Sequence, residues 1–268
     1  MSIRVDILGA GISAPGIPDW NGLRAVLDGR PLSSECESPR TGLLSPREQR
    51  RAPATVRLSF AAAEQACGMA GITPGRPVAV FSSAMGDAEL ADYMCRTLAE
   101  SPQQLSPTRF HNSVHNAAAG YWSIGTGASA DVTAVSGWRD SAVAGLIEAV
   151  TRAVTGSEPV LLVVYDDCGQ GPLSNVWPVD QPFSAALVIS APSASNRSLA
   201  HLALSASDSE NRHPDLPATL LERIADNPAA RMLPLLALLA GTGPAAITLA
   251  AECGSGLHIE KVTARGKK

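Results

Sequence analysis

Short apolar runs recur along the chain at strand length: Val5 to Leu8, Val78 to Ser82, Val132 to Val135, Val160 to Tyr165, Ala185 to Ser190, Leu202 to Ala206, Ile247 to Glu252 and Leu257 to Val262. Between most of the early ones, apolar residues fall at helical spacing. Strands alternating with helices predict an α/β fold around a largely buried sheet. The stretch Pro192 to Pro217 is rich in Ser, Asn, Asp and Pro. It reads as an exposed segment with one edge strand, His201 to Ala206.

Cap chemistry marks several helix boundaries. Ser45-Pro46-Arg47-Glu48 joins an N-cap serine, a proline at the first helical position and a capping-box glutamate. Pro53 stops or kinks that helix, and a second is expected from Ala54 to Ala70, ending at Gly71. Asp87 can cap a helix through Leu98. Asn227-Pro228 opens another that reaches Gly241 with a bend at Pro234. The helix from about Asp140 to Thr155 says most. Ala142, Val143, Leu146, Ile147, Val150 and Val154 form its apolar stripe, and Gly156 stands at its end. Just upstream lie the strand Val132 to Val135 and the tight link Ser136-Gly137-Trp138-Arg139. A strand, a sharp turn and a buried helix in that order can place a nucleophile on a helix N-terminus.

Composition narrows the class. Of 268 residues, 45% are hydrophobic and 17% charged, which fits a compact globule and no disordered chain. The net charge of −4 offers no basic excess for a nucleic-acid backbone. The five cysteines, Cys36, Cys67, Cys95, Cys168 and Cys253, are scattered and form no CxxC pair. Neither a metal site nor a disulfide framework is expected, and a reducing cytoplasm is the simplest setting. The N-terminus lacks the pattern of a signal peptide. The longest apolar run, Met232 to Ala240, is too short to span a bilayer.

Gly9-Ala10-Gly11 follows a strand and looks like the start of a dinucleotide fingerprint. That fingerprint requires a helix directly after the glycines. Pro15 and Pro18 interrupt any such helix, so a turn leading to a helix near Asp19 is expected instead, with no cofactor.

The most distinctive stretch is Phe110-His111-Asn112-Ser113-Val114-His115-Asn116-Ala117-Ala118-Ala119-Gly120-Tyr121-Trp122-Ser123-Ile124. It resembles the ketosynthase segment that starts with phenylalanine and reaches an asparagine and an Ala-Gly pair. The opening VDILGAGISAPGIPDWNGLRAVLDG is similar to the ketosynthase first strand, turn and helix. Val132 to Ala149 and Pro159 to Asp166 are similar to the nucleophile helix and the strand after it. Together they resemble the beta-ketoacyl synthase-like N-terminal domain family, including the chain length factors of type II polyketide and aryl polyene pathways. The resemblance covers most of the chain and fades after Ser190.

It implies a thiolase-like half-fold: a mixed, mainly parallel sheet flanked by helices in a single domain over 1–268, family-like over 1–190 and divergent over 191–268. A C-terminal helix and hairpin would replace the second half. By the same resemblance, Phe110, Asn112, His115, Asn116, Ala119, Gly120, Trp138, Arg139 and Asp140 become interface or acyl-tunnel candidates. The small run Ala117 to Gly120 would let two backbones approach.

Counting forward from Ala119-Gly120, or back from Glu148, puts the family's nucleophilic cysteine at Arg139. A slip of one or two residues reaches Trp138, Gly137 or Asp140, none of which can carry an acyl thioester. The His-Gly-Thr-Gly-Thr run is absent, and Glu252 to His258 only echoes the glycine-rich turn holding the other family histidine. A hairpin turn explains His258 as well. A cation at a helix N-terminus opposes the helix dipole, so Arg139 is expected to point away or to pair with a carboxylate such as Asp140. It is then either a surface pair without a role or a plug in the old acyl site.

His111 and His115, four apart, could share a helical face, but no third ligand is evident. Asp166, Asp167 and Cys168 read as polar residues at a strand end. Ser136-Gly137 lacks the flanking small residues of a serine elbow. The resemblance therefore implies a subunit without catalytic residues, cofactor or metal. It would form a heterodimer with a full-length ketosynthase, or a homodimer, in polyketide or fatty-acid-like biosynthesis. An acyl carrier protein would dock mainly on the partner. The alternative is a stand-alone acyl-thioester enzyme with an atypical active site.

Overall fold

The computed structural model describes residues 2–34, 38–193, 198–208, 216–224, 226–241, 245–252 and 255–263. In chain order the elements are β1 (Ile3–Ser13), α1 (Trp20–Leu27), α2 (Pro46–Arg51), α3 (Ala54–Ala70), β2 (Val78–Ser82), α4 (Ala88–Glu100), α5 (Pro107–His111), α6 (Ala117–Thr126), β3 (Val132–Val135), α7 (Ser141–Thr155), β4 (Val160–Asp166), β5 (Phe183–Ser190), β6 (Ala200–Ser207), α8 (Ala218–Ile224), α9 (Leu233–Ala240), β7 (Ala246–Leu249) and β8 (Gly256–Lys261). The strands form one sheet in the order β3-β2-β4-β5-β1-β6-β8-β7.

The fold is α/β and the sheet is mixed, as expected, but it is not mainly parallel. Among the described residues β2–β3 and β2–β4 run parallel, and the other five neighbouring pairs run antiparallel. A parallel pair needs a crossover, and α-helices supply crossovers between β1 and β4. From β4 to β5 the chain returns through a strap holding only a 3-10 turn, Gly171–Asn175, so β5 comes back antiparallel. The segment after Ser190 also differs from expectation. β6 is an interior strand between β1 and β8, and the sheet edges are β3 and β7. The expected C-terminal helix and hairpin are present as α9 and β7–β8.

Both faces of the sheet are covered, which is why β4 and β5 read as unbroken apolar runs. Val160, Leu162 and Val164 of β4 join Phe183, Ala185, Leu187 and Ile189 of β5 on the face packed by α1, α7, α8 and α9. Leu161, Val163 and Tyr165 join Ala186 and Val188 on the face packed by α3 and α6. There Trp122 meets Phe60 edge to face at 5.1 Å between ring centroids.

The cap predictions hold at three helices. Ser45 Oγ accepts from Glu48 N, and Glu48 Oε2 accepts from Ser45 N, closing the capping box of α2. α3 ends at Gly71 in the left-handed conformation, φ 67°. Asp87 caps α4, which runs two residues beyond Leu98. Asn227-Pro228 instead opens a 3-10 turn, Pro228–Met232. α9 starts after it with Pro234 in its first turn, where a missing N–H costs nothing.

The glycines of the opening motif serve packing. β1 runs straight through Gly9-Ala10-Gly11, and the turn comes later, at the Ala14–Ile17 bridge. A one-residue bulge at Leu8, between Ile7 and Gly9 in the pairing with β5, resets the alternation. Both glycines then face α3. A Cβ on Gly9 would lie 2.2 Å from Ala66 O, and one on Gly11 would lie 2.1 Å from Ala62 O. The α3 residue Gln65 satisfies both backbone groups of Ile12. A helix fills the space that a pyrophosphate would need.

Replacing Gly11 by alanine forces two backbones apart in a closed core. Gly11→Ala is expected to lower the unfolding free energy by roughly 3 kcal/mol or more, measured by urea denaturation.

Candidate functional site

The parallel strands β2, β3 and β4 end on the same side of the sheet, and their carboxyl ends carry the polar residues. Crevices at such ends are where open α/β sheets commonly bind ligands. Ser82 and Ser83 close β2, Ser136 and Gly137 lead from β3 into α7, and Asp166, Asp167 and Cys168 close β4.

The β3–α7 link is the sharpest point. Trp138 has φ 53°, the one positive φ among described non-glycine residues. Such a conformation costs about 1–3 kcal/mol for a bulky residue and persists only where its surroundings enforce it. The enforcement is visible. Ser141 Oγ donates to Trp138 O at 2.7 Å and accepts from Gly137 N at 2.9 Å. Ser82 Oγ donates to Ser141 O at 2.7 Å. A Cβ on Gly145 would approach Ser82 Cβ to 2.6 Å, so α7 seats tightly on β2. The Trp138 indole is 47% exposed and lies 5.2 Å from the ring of Trp177, which is buried with Ala84 and Val179.

Residues 138–140 form a 3-10 turn, and α7 itself starts at Ser141. Of the two arrangements expected for Arg139, pointing away or pairing with a carboxylate such as Asp140, the Asp140 pair does not form. Arg139 is half-buried and makes no ion pair with a described residue. Asp140 Oδ1 accepts from Arg231 Nη1 at 2.9 Å, and both its carboxylate oxygens accept from Glu252 N, at 2.9 and 3.0 Å. Arg231 also pairs with Glu252. A carboxylate at the head of α7 suits the helix dipole and clasps the C-terminal segment onto this turn.

Asp166 organises the neighbouring end. Its Oδ1 accepts from Ser83 Oγ at 2.7 Å, Ala84 N at 2.8 Å and Met85 N at 3.2 Å. Asn227 Nδ2 donates to Asp166 O and to Gln181 O. Asp166 is fully buried, and its Oδ2 has no hydrogen-bond partner. Burial pushes its carboxyl up to about 7; the three hydrogen bonds oppose that shift and the nearby Asp167 adds to it. Burial raises the carboxyls of Asp87 and Asp167 as well.

The other sequence candidates are spread out. Phe110 on α5 is 56% exposed. Asn112 is buried and accepts from Tyr121 OH at 3.3 Å. The chain breaks between α5 and α6, so His111 and His115 share no helical face. No group of described residues is arranged to hold a metal ion. His115 Nε2 lies 3.0 Å from Ser83 O, which brings it to the strand ends. Asn116 is exposed at the start of α6, Ala119 is buried, and Gly120 is exposed with open space around it. The close backbone approach expected at Gly120 is therefore not made within the chain. His258 lies on β8, paired with Ser205 and Thr248, far along the sheet order from β4. Ser83, Trp177, Asn227, Arg231 and Glu252 were not singled out by the sequence for these roles. Asn227 alone carried a signal, as a cap.

No thiol occupies residues 136–141. Cys67 is buried in α3 and Cys168 follows β4, and burial pushes both thiols up to about 12. Cys95 on α4 is exposed. Cys36 and Cys253 lie outside the described residues.

The sequence profile of the beta-ketoacyl synthase N-terminal domain family matches residues 24–230. No curated protein sequence matches the chain. Among solved structures, the ketosynthase ApeO in complex with its chain length factor ApeC from Xenorhabdus doucetiae is similar at TM-score 0.69 and 22% identity, over 96% of this chain and 99% of that one. The ishigamide ketosynthase/chain length factor is similar at TM-score 0.69 and 15% identity, with the same two coverages. A beta-ketoacyl synthase from Burkholderia phymatum STM815 gives TM-score 0.60 and 13% identity, over 85% of this chain and 70% of that one. At these identities the likeness establishes the thiolase-like fold. Among the described residues no helix is long and apolar enough to cross a membrane.

Two outcomes follow from the titrating groups. The unfolded Asp166 carboxyl ionises near its ordinary 3.8, whereas the folded one holds its proton to about 7. The folded state thus binds the extra proton, and this group's contribution to stability falls as pH rises from about 4 to about 7. Asp166→Asn mimics the protonated acid. It is expected to exceed the unmodified protein in stability at pH 8, on the order of 2–4 kcal/mol, and to lose that advantage progressively as pH falls from about 7 to about 4 in denaturant titrations. In brief iodoacetamide labelling at pH 8 followed by peptide mass mapping, Cys95 should be alkylated and Cys67 and Cys168 spared.

Proposed function

The chain belongs to the beta-ketoacyl synthase N-terminal domain family, and from that premise we propose that it is a non-catalytic, chain length factor-like subunit of a ketosynthase complex. One observation carries the reading: the turn between β3 and α7 is sharp and strained, as a nucleophile turn would be, but its tip holds Trp138, with Arg139 next, and no sulfur. A nucleophile on a sharp strand-to-helix turn projects from the residue at the tip. We therefore assign the vacant nucleophile position to Trp138, one residue before the position reached by counting. Neither indole nor guanidinium can carry an acyl thioester, so carbon–carbon bond formation falls to the partner's cysteine and histidines.

The surface supports pairing. β3 is an edge strand whose outer backbone groups have no neighbouring strand among the described residues. α6 and α7 pack on either side of it. From them Ile124, 74% exposed, and Ile147 and Val154 face outward, with Phe110 and Val114 exposed nearby in the chain. An open edge flanked by apolar side chains is an aggregation hazard unless a partner covers it. A strand of the partner laid against β3 would satisfy the backbone and bury those side chains. The comparisons point the same way. Two of the similar structures are of a ketosynthase with its chain length factor, and each match spans 99% of the matched chain.

In this reading the partner is a full-length ketosynthase of type II polyketide, aryl polyene or fatty-acid-like biosynthesis. The carrier protein docks mainly on that partner, and this chain walls off part of the acyl tunnel.

Co-expression with a full-length ketosynthase from the same source should yield a stable one-to-one complex, and the chain alone should turn over no acyl thioester. A soluble monomer that condenses or transfers acyl groups by itself would overturn the proposal in favour of a stand-alone enzyme. Ile124→Glu places a charge where the isolated chain is open to water. It should leave the melting temperature unchanged and weaken the complex at least about tenfold, read by analytical ultracentrifugation.

A further inference from the structure

We propose that the cleft between α2, α3, α4 and α5 binds a small, hydroxylated phosphate monoester, with the phosphoryl group on Arg51, Arg57 and Arg109. The site is separate from the β3–α7 turn, and the proposal does not depend on the pairing above.

The first observation is unspent positive charge. Residues 40–57 hold five arginines and one acid, Glu48, so this part of an acidic chain is locally basic. Glu48 is committed to the capping box of α2. Among the described residues neither Arg51 nor Arg57 forms an ion pair. Arg57 is anchored by Nη1, which donates to Ala52 O at 2.7 Å, while its Nε and Nη2 donate to no described residue. Arg109 lies with Cζ 3.7 Å from the centre of the Tyr93 ring, which fixes the plane of its guanidinium. Planar guanidiniums on fixed supports match the oxygens of a phosphoryl group.

The second observation concerns hydrogen-bond donors. The 17-residue helix α3 starts at the cleft through Pro53 and Ala54, with no side-chain cap and no acid in its first turn. Its free N–H groups and dipole favour an anion there. Asn112 lines the same cleft and is 7% exposed. Tyr121 OH occupies its Oδ1, but its Nδ2 donates to no described residue. A buried amide donor left unused at a cationic cleft is accounted for by an acceptor bound there.

The third observation sets the rest of the ligand. The cleft encloses about 260 Å³, less than a drug-sized molecule needs and more than a bare oxyanion fills. Its α4 wall carries Asp87 and Glu89. Glu89 is paired with Arg109 at 3.2 Å, and Asp87 Oδ1 caps α4 by accepting from Leu90 N. Burial raises the Asp87 carboxyl; Glu89 and Asp167 add to the shift, and Arg109 opposes it. Carboxyl oxygens facing arginines across a small cleft suit a ligand with an anionic head and hydroxyl donors on its body. A chain of phosphates, as in nucleic acid, would meet repulsion on that wall.

The test is isothermal titration of the full chain at pH 7.5 and low salt with glycerol 3-phosphate, propyl phosphate and inorganic phosphate. Glycerol 3-phosphate should bind one to one. The other two should bind at least about fivefold more weakly, because they lack the hydroxyls for α4. Arg51→Ala removes an exposed side chain and should weaken binding about tenfold at an unchanged melting temperature. Asn112→Asp keeps the acceptor for Tyr121 and turns the free donor into a charge, and it should abolish binding. No saturable binding of any phosphate up to about 10 mM overturns the proposal. Unchanged affinity in both variants places the ligand elsewhere and overturns it too. Inorganic phosphate binding as tightly as glycerol 3-phosphate overturns the assignment of a hydroxylated body. Loss of ketosynthase pairing with phosphate binding intact would count against the proposed function and leave this site standing.

Discussion

The hydroxyl of Ser141 closes the five-residue link between β3 and α7, and the arrangement of the strand ends follows from it. One oxygen takes the Gly137 N–H and gives its proton to Trp138 O. That leaves the backbone of Trp138 little choice but its left-handed conformation. Ser82, at the end of the adjacent strand, holds the carbonyl of the same serine. Turn, helix and sheet are locked through one short side chain. Without it, a strain of about 1–3 kcal/mol would be free to relax. The indole of Trp138 would then lose its fixed place over Trp177.

A second lock sits beside the first. Asp166 draws Ser83, Ala84 and Met85 to a single carboxylate oxygen, while Asn227 reaches its carbonyl from the C-terminal segment. The other carboxylate oxygen is buried without a partner. A half-satisfied carboxylate in an apolar surrounding is expensive when ionised, so the proton stays on to unusually high pH. The geometry is that of a group organising loops rather than moving protons. No imidazole among the described residues hydrogen-bonds to it, since His115 meets only the main-chain oxygen of Ser83.

Local chemistry made much of this legible in the sequence. The Ser45 capping box, the Gly71 terminator and the strand–turn–helix unit around Ser136 to Asp140 depend on neighbours a few residues apart, and they appear where the pattern put them. What long-range partners decide was not legible. The parallel character of the sheet was overestimated because the strap from β4 to β5 shows no pattern distinguishing a return from a crossover. Gly9 and Gly11 looked like a turn because the helix that needs their missing side chains, α3, is more than forty residues away. Asp140 was matched to its neighbour Arg139, but Arg231 and Glu252 reach it across the fold. Counting along the chain cannot see φ, so the left-handed backbone at Trp138, next to Arg139, was not legible either.

The exposed apolar residues sharpen the case for a covered edge. Scattered apolar exposure is normal on soluble proteins and explains single cases such as Met69 or Leu98. Ile124, Ile147 and Val154 differ because they lie on the two helices that pack on β3, the strand with an open edge. Natural sheets blunt open edges with charge, proline or bulges. β3, read Val-Thr-Ala-Val, has none of these, and its residues are neither fully buried nor fully exposed. Left open, such an edge invites any passing strand. Covered by one fixed partner, such an edge would form a specific interface, which is what the pairing proposed for this chain requires.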